Sequence, residues 1–263
     1  MYCQHWGLEQ SPFRSQLASR YFYESPLCEE ALARLNFLVD SQRRLGLLVG
    51  PAGTGKSLVL AQLAKQLRAD GQNVALVDST GLSGDEFLGE LAAQWQVSVP
   101  ETAPSALVWQ ALAERVMECR YERRASVLLV DGADSATNET LLQLIRLAQL
   151  DNSPEARLTL AVALRPERVR RLGDRLLELV ELQVALEPWE EEDSIACIER
   201  LLAMAGGRPE TFSRSAMAEL HSRSHGVPRK LTRLADLALL AGAGEALPQI
   251  DSRTIASVER ELA

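Results

Sequence analysis

Eight residues, "GPAGTGKS" at 50–57, have the types and the spacing to hold a nucleoside triphosphate. They fit the pattern G-x-x-x-x-G-K-[ST] in full, with an apolar run before them and a helical pattern after. Gly50, Gly53 and Gly55 let the backbone turn its N–H groups toward phosphate oxygens, and the helix that follows adds the favourable end of its dipole. Pro51, Ala52, Thr54 and Leu58 complete the cradle. Lys56 is placed to reach the β- and γ-phosphates, and the Ser57 hydroxyl to ligate Mg²⁺. A second stretch, "LLVDGADSA" at 128–136, runs an apolar segment into Asp131, the natural partner of the same metal ion through water. The position after such an aspartate usually carries the glutamate that activates the attacking water; here it is Gly132.

The segments around these motifs alternate in period. Residues 29–45 read as an amphipathic helix with Ala31, Leu35, Leu38 and Val39 along one face. "LGLLVG" is a short buried strand, and "SLVLAQLAKQLRADG" a helix closed by Gly71. "NVALVD" is a second strand, and "SGDE" at 83–86 is a capping box that opens another helix. Residues 105–120 are helical, "SVLLVD" is a third strand, residues 138–150 are helical and "RLTLAVAL" is a fourth strand. This alternation predicts an α/β fold, a doubly wound parallel sheet. After Pro188 and an acidic run the pattern turns wholly helical, near 190–205, 212–224, 227–241 and 251–262, the last opened by Asp251 as N-cap. Two domains are expected: 1–188, an α/β nucleotide-binding core with its N-terminal segment, and 189–263, a small helical lid.

Composition narrows the classes. With 263 residues, 46% of them hydrophobic, the chain can build a sizeable core. Twenty-eight basic against 36 acidic residues leave a net charge of −8, which weighs against a surface coated for nucleic acid. Cys3, Cys28, Cys119 and Cys197 lack any CxxC spacing and read as reduced thiols. His5, His221 and His225 form no metal cluster by spacing. The N-terminus lacks the features of a signal peptide, and no apolar run approaches the roughly 20 residues that span a bilayer. A cytoplasmic protein without a membrane segment is expected.

The quoted motifs, together with "MYCQHWGLEQSPF", "YFYESPLCEEALARL", "RPERVRRLGDR", "LEPWEEEDSIACIERLL" and "GVPRKLTRLADLALLAG", occur in an order that resembles AAA-type ATPases of the general secretion pathway protein A (ExeA-like) group, itself similar to transposon helper ATPases. The resemblance implies a P-loop core with a helical lid, ATP and Mg²⁺ as ligands, and self-association or a protein partner. It makes Tyr23 of "YESP" a neighbour of the adenine base and Arg229 of "GVPR" the lid arginine that reaches the γ-phosphate. Arg175 of "GDR" resembles the arginine presented to a neighbouring subunit, with Arg168, Arg170 and Arg171 close by. Arg165 stands at the end of the fourth strand, where the group tends to carry a polar sensor, usually glutamine.

The group's "DEAQ" is "DGAD" here. Lys56, Ser57, Asp131 and the metal suffice for binding and slow turnover, whereas a general base contributes typically 10²–10⁴-fold. Asp134, one methylene shorter and two residues further on, is a candidate substitute; Asp78, ending the second strand, is another, read as lying beside the phosphate loop. If the strand aims position 132 at the γ-phosphate, Gly132→Glu should restore hydrolysis. Trp189 reads as a packing anchor at the core–lid junction. Three functions follow: a slow ATPase that couples nucleotide state to a partner, a non-hydrolysing ATP-dependent interaction module, and a DNA-associated helper supported by the basic run 165–175.

Overall fold

A computed structural model describes residues 2–13, 23, 25–100 and 102–262, without the side chains of 261 and 262. Glu24 of "YESP" lies outside the described residues. From the N-terminus come α1 (Tyr2–Trp6), α2 (Pro26–Asp40), β1 (Leu45–Val49), α3 (Lys56–Ala69), β2 (Asn73–Asp78), α4 (Gly84–Gln94) and α5 (Ser105–Tyr121). They are followed by β3 (Ser126–Asp131), α6 (Asn138–Ala148), β4 (Leu158–Leu164), α7 (Asp174–Leu177) and β5 (Leu182–Ala185). The chain closes with α8 (Glu191–Met204), α9 (Arg214–Ser224), α10 (Pro228–Gly244) and α11 (Ser252–Leu262). Two compact units result: Cys28–Ala52 with Lys56–Leu186, and Met1–Leu27 with Gly53–Gly55 and Glu187–Ala263.

The first unit is built on a parallel sheet of order β2-β3-β4-β1-β5. Every residue of β1 and β4 is buried, as expected of strands covered on both faces, which explains their unbroken apolar sequences. β5 is a strand that the sequence did not announce. "LQVA" is short, sits on the sheet edge and is half exposed, so it lacks the apolar run that marked its neighbours. The predicted capping box at α4 is present: Ser83 Oγ accepts from Glu86 N, and Glu86 Oε2 accepts from Ser83 N at 2.8 Å. Phe87, Leu91 and Trp95 of that region pack into the apolar core beside Leu128 and Val130.

The second unit packs α8–α11 around Leu201, Leu220, Leu231, Ala235, Leu239 and Ile255. The four C-terminal helices fall close to their expected positions, and Asp251 caps α11 through Thr254 N at 2.9 Å. The N-terminal segment, expected with the sheet, clusters with these helices instead. Its side chains give the reason. Trp6 is buried, donates Nε1–H to Leu239 O at 2.8 Å and lies against Gly242, where a Cβ would come within 2.9 Å of the indole. The Tyr2 hydroxyl donates to Asp236 Oδ1 at 2.5 Å; burial and that hydrogen bond push its pKa up to about 12. Leu8 and Phe13 are buried in the same cluster.

Candidate functional site

β1 delivers the phosphate loop and α3 begins at Lys56, so "GPAGTGKS" occupies the strand-to-helix turn that its motif requires. Gly50 N donates to Leu164 O at 3.3 Å, which seats the start of the loop beside the end of β4. Lys56 Nζ donates to Gly50 O at 2.6 Å and Pro51 O at 2.8 Å, holding the ammonium over the loop. Gly55 has φ +104°, a conformation hostile to L side chains, so the turn needs glycine there. A backbone cradle with an aimed ammonium fits a polyphosphate. Ser57 stands on the first turn of α3 and Asp131 at the end of β3. Among the described residues no group of three or more His, Cys, Asp or Glu side chains could hold a metal ion.

The neighbourhood of Asp131 departs from expectation. Its carbonyl accepts from Ser79 N and Ser79 Oγ, both at 2.9 Å, and its Oδ1 accepts from Gly132 N at 2.9 Å. Gly132 has φ +65° and ψ +23°, left-handed backbone. A Cβ built on it would stand 2.4 Å from Thr80 Oγ1 and 3.0 Å from Asp78 Oδ1. Position 132 therefore points toward the end of β2, not toward the phosphate loop, and the expected rescue by glutamate has no support in this geometry. Asp78 also moves. It pairs in register with Asp131, but β2 is the edge strand with β3 and β4 between it and β1. At roughly 4.8 Å per strand, Asp78 lies about 14 Å from the loop strand rather than beside it.

Asp134 and Arg165 meet. Asp134, in the 3-10 turn Ala133–Ser135, is buried, and its Oδ2 accepts from Arg165 Nε at 2.5 Å. Hydrogen bonding to Asp134 is the main cause that raises the Arg165 pKa, so the guanidinium is firmly charged. Arg171 Nη2 donates to Ala136 O at 2.8 Å, closing the same turn from the other side. Arg168, Arg170 and Arg175 are exposed.

Within the helical unit, Arg229 N donates to Gly53 O at 3.2 Å. Gly53 has φ +87°, and a Cβ there would stand 3.0 Å from Arg229 Cβ and 3.1 Å from Val227 Cγ1, so the close approach demands glycine. Gly226 is as constrained: φ is +67°, and a Cβ would fall 2.1 Å from Trp189 O. Trp189 N donates to Gly226 O at 2.8 Å, tying the start of α8 to "GVPR". Tyr23 is half-buried with its ring edge-on to Trp189, centroids 5.3 Å apart, and burial raises its pKa. Trp189 thus packs with Tyr23 and Gly226. Thr80 and Ser79 were not singled out in the sequence, where "DST" after β2 is the one signal; nor was Gly226.

The model of the AAA domain matches residues 39–172, from the end of α2 through the loop, Asp131 and Arg165. The chain belongs to the AAA domain family. As family properties this brings nucleotide binding, typically with Mg²⁺, and frequent oligomerisation. Over 245 residues the AAA chain is 28% identical to General secretion pathway protein A of Aeromonas hydrophila, covering 92% of this chain but 45% of that protein. Among solved structures, CDC6P of Pyrobaculum aerophilum superposes with TM-score 0.73 at 17% identity over 94% of this chain and 70% of that one. The Aeropyrum pernix ORC2 protein gives 0.68 at 13% over 96% and 72%. The Thermotoga maritima RuvB Holliday junction branch migration motor gives 0.57 at 15% over 96% and 74%. These likenesses carry the AAA fold. No helix among the described residues is long and apolar enough to cross a membrane.

Proposed function

We propose that this AAA chain binds ATP with Mg²⁺ and hydrolyses it slowly, coupling nucleotide state to self-association or to a protein partner. The observation that carries the first half is the complete phosphate loop between β1 and α3, with Lys56 Nζ folded over it. Gly50–Leu58 would form the cradle, with backbone N–H groups from Ala52 onward turned to the phosphates, and Lys56 would neutralise the β- and γ-phosphates. Ser57, and Asp131 through water, would hold Mg²⁺, which supplies charge neutralisation across the phosphates. Tyr23 would lie by the base, Arg229 would read the γ-phosphate, and Arg175 would reach a neighbouring subunit. A chain that uses ATP in this way would work in the cytoplasm.

Slow turnover rests on Gly132. In hydrolysis a water oxygen bonds to the γ-phosphorus, the bridging oxygen leaves on ADP with the bonding electron pair, and one water proton is released. A glutamate that orients that water is worth typically 10²–10⁴-fold, and here the chain offers a left-handed glycine walled by Thr80. The same crowding favours a second reading, an ATP-dependent interaction module that does not hydrolyse. Calorimetric titration with Mg–ATP tests the common ground: wild type binds, and Lys56→Ala weakens binding severely. Equal affinities would overturn nucleotide binding through the loop.

A further inference from the structure

We propose that the solvent-facing side of α5 docks an amphipathic helix of a partner protein, one with apolar residues at alternating three- and four-residue spacing and arginines or lysines along one edge. Seven large apolar side chains are exposed among the described residues. Four fall singly on α2, α6, α8 and α10, as scattered surface residues do, but Leu107, Met117 and Tyr121 share α5 and are 52%, 56% and 92% exposed. Their spacing puts them on one side. At 3.6 residues per turn, Leu107, Gln110, Glu114, Met117 and Tyr121 occupy an arc of about 80°. The buried residues of the helix, Val108, Trp109, Leu112, Val116 and Cys119, occupy the opposite side. α5 thus carries a second apolar stripe, about 21 Å long, that faces solvent. It holds none of the residues assigned to the nucleotide site, so docking here and nucleotide binding are independent.

Charge selects the occupant. Glu114, Glu118 and Glu122 succeed one another at four-residue intervals, running from the stripe onto one of its edges, while Ala106 and Ala113 lie along the other. Glu114 accepts from Gln110 Nε2 at 2.9 Å and has no ion pair among the described residues. The Glu118 side chain is 63% exposed, with Arg115 Nη1 at 3.4 Å, and Glu122 is exposed beside Arg124. Such a row attracts a cationic edge and repels anionic lipid and nucleic acid, so the stripe suits a protein rather than either of these. A second copy of the same face fits poorly. Two α5 helices in full antiparallel overlap would set Glu114 against its copy, and in parallel register all three glutamates would meet their like. A helix with cations opposite the glutamates meets no such repulsion, and the small alanines on the far edge leave room for its backbone. Its apolar residues would rest on Leu107, Met117 and Tyr121, the spacing by which one helix reads another.

The probe is a fluorescent synthetic helix of about 18 residues, long enough to cover the stripe, with leucines at three–four spacing and arginines along one edge. Its anisotropy is titrated with the full chain. The parent should bind it at least about 10-fold tighter than a scrambled peptide of equal composition. Leu107→Gln, Met117→Gln and Tyr121→Gln together should weaken binding by roughly 30-fold or more. Glu114→Gln with Glu118→Gln should weaken it by roughly 3- to 10-fold and flatten its dependence on salt. Phe37→Gln, at the exposed apolar residue of α2, should change nothing. Unliganded thermal midpoints identify a triple variant that loses its fold, and Met117→Gln with the glutamate pair then carries the comparison. Equal binding of the scrambled peptide, or parental affinity in the stripe variants, would overturn the docking face. An unaltered glutamate pair would overturn the basic partner. A parent that dimerises in sedimentation while the triple variant stays monomeric would give the face to a second copy. Binding to neutral phosphatidylcholine vesicles, lost in the triple variant, would give it to lipid, and either result overturns the proposal. A parent that takes the peptide but binds no ATP would remove the proposed function and leave this docking face standing.

Discussion

Replacing Gly132 by glutamate should not rebuild a fast ATPase; it should damage the fold. Two separate costs arise. Backbone at φ +65° charges an L residue roughly 1–2 kcal/mol. The new Cβ would also stand 2.4 Å from Thr80 Oγ1, well inside contact distance, so Thr80 must rotate or β2 must shift. Thr80 is exposed, which makes rotation the cheaper route, and Thr80→Ala removes the obstructing oxygen altogether. The left-handed cost alone lowers the thermal midpoint by roughly 2–8 °C in a chain of this size. Gly132→Glu should therefore melt lower by at least that much, Gly132→Glu with Thr80→Ala should recover part, and Gly132→Ala should fall between the parent and the glutamate variant. Phosphate release under saturating Mg–ATP should not rise in any of them, because the side chain starts toward Asp78 and away from β1. A Gly132→Glu protein with an unchanged midpoint and phosphate release raised about 10²-fold or more would refute this geometry.

Arg229→Ala should abolish the difference between ATP and ADP in thermal shift while leaving the unliganded midpoint close to the parent; a preserved difference would remove its proposed role. Trp6→Ala should cost about 3–5 kcal/mol, since it empties a buried indole site and removes the hydrogen bond to Leu239 O. Denaturation with parental stability would show that α1 contributes nothing to the helical core. Asp251 has its folded pKa lowered by its hydrogen bond from Thr254 N, so its contribution is complete above the ordinary aspartate pKa and is lost as pH falls through the lower folded value. Asp251→Asn, which keeps a capping oxygen, should flatten the acid limb of the stability curve below about pH 4, and an unaltered limb would assign that dependence to other carboxylates.

Much of this molecule is legible in its sequence because buried parallel strands and phosphate turns leave local marks. β1, β3 and β4 read as unbroken apolar runs, and Ser83–Glu86 as a cap, since each depends on residues close in the chain. β5 does not, because an edge strand with one ladder needs little apolar character. Strand order is equally silent: Asp78 ends a strand just after the phosphate-loop helix, yet two strands separate it from β1. Asp134 and Arg165 were each conspicuous alone, but 31 residues apart nothing local announces that they pair. Gly132 was visible as a missing carboxylate, while its φ, and Thr80 across from it, were not. Trp6 and Tyr2 hide for the same reason: an N-terminal helix of five residues gives no clue that its aromatic side chains are buried against α10.

A single-turnover experiment bears most directly on the proposal that this AAA chain binds ATP and hydrolyses it slowly for want of a water-activating glutamate. Protein in excess over γ-labelled ATP and Mg²⁺ is sampled for protein-bound label and for released phosphate, in wild type and in Lys56→Ala. The expected result is bound ATP in wild type only, with phosphate released from it at a slow but measurable rate that Lys56→Ala removes. Prompt release on mixing would contradict the impairment, and equal retention of label by Lys56→Ala would contradict the site itself.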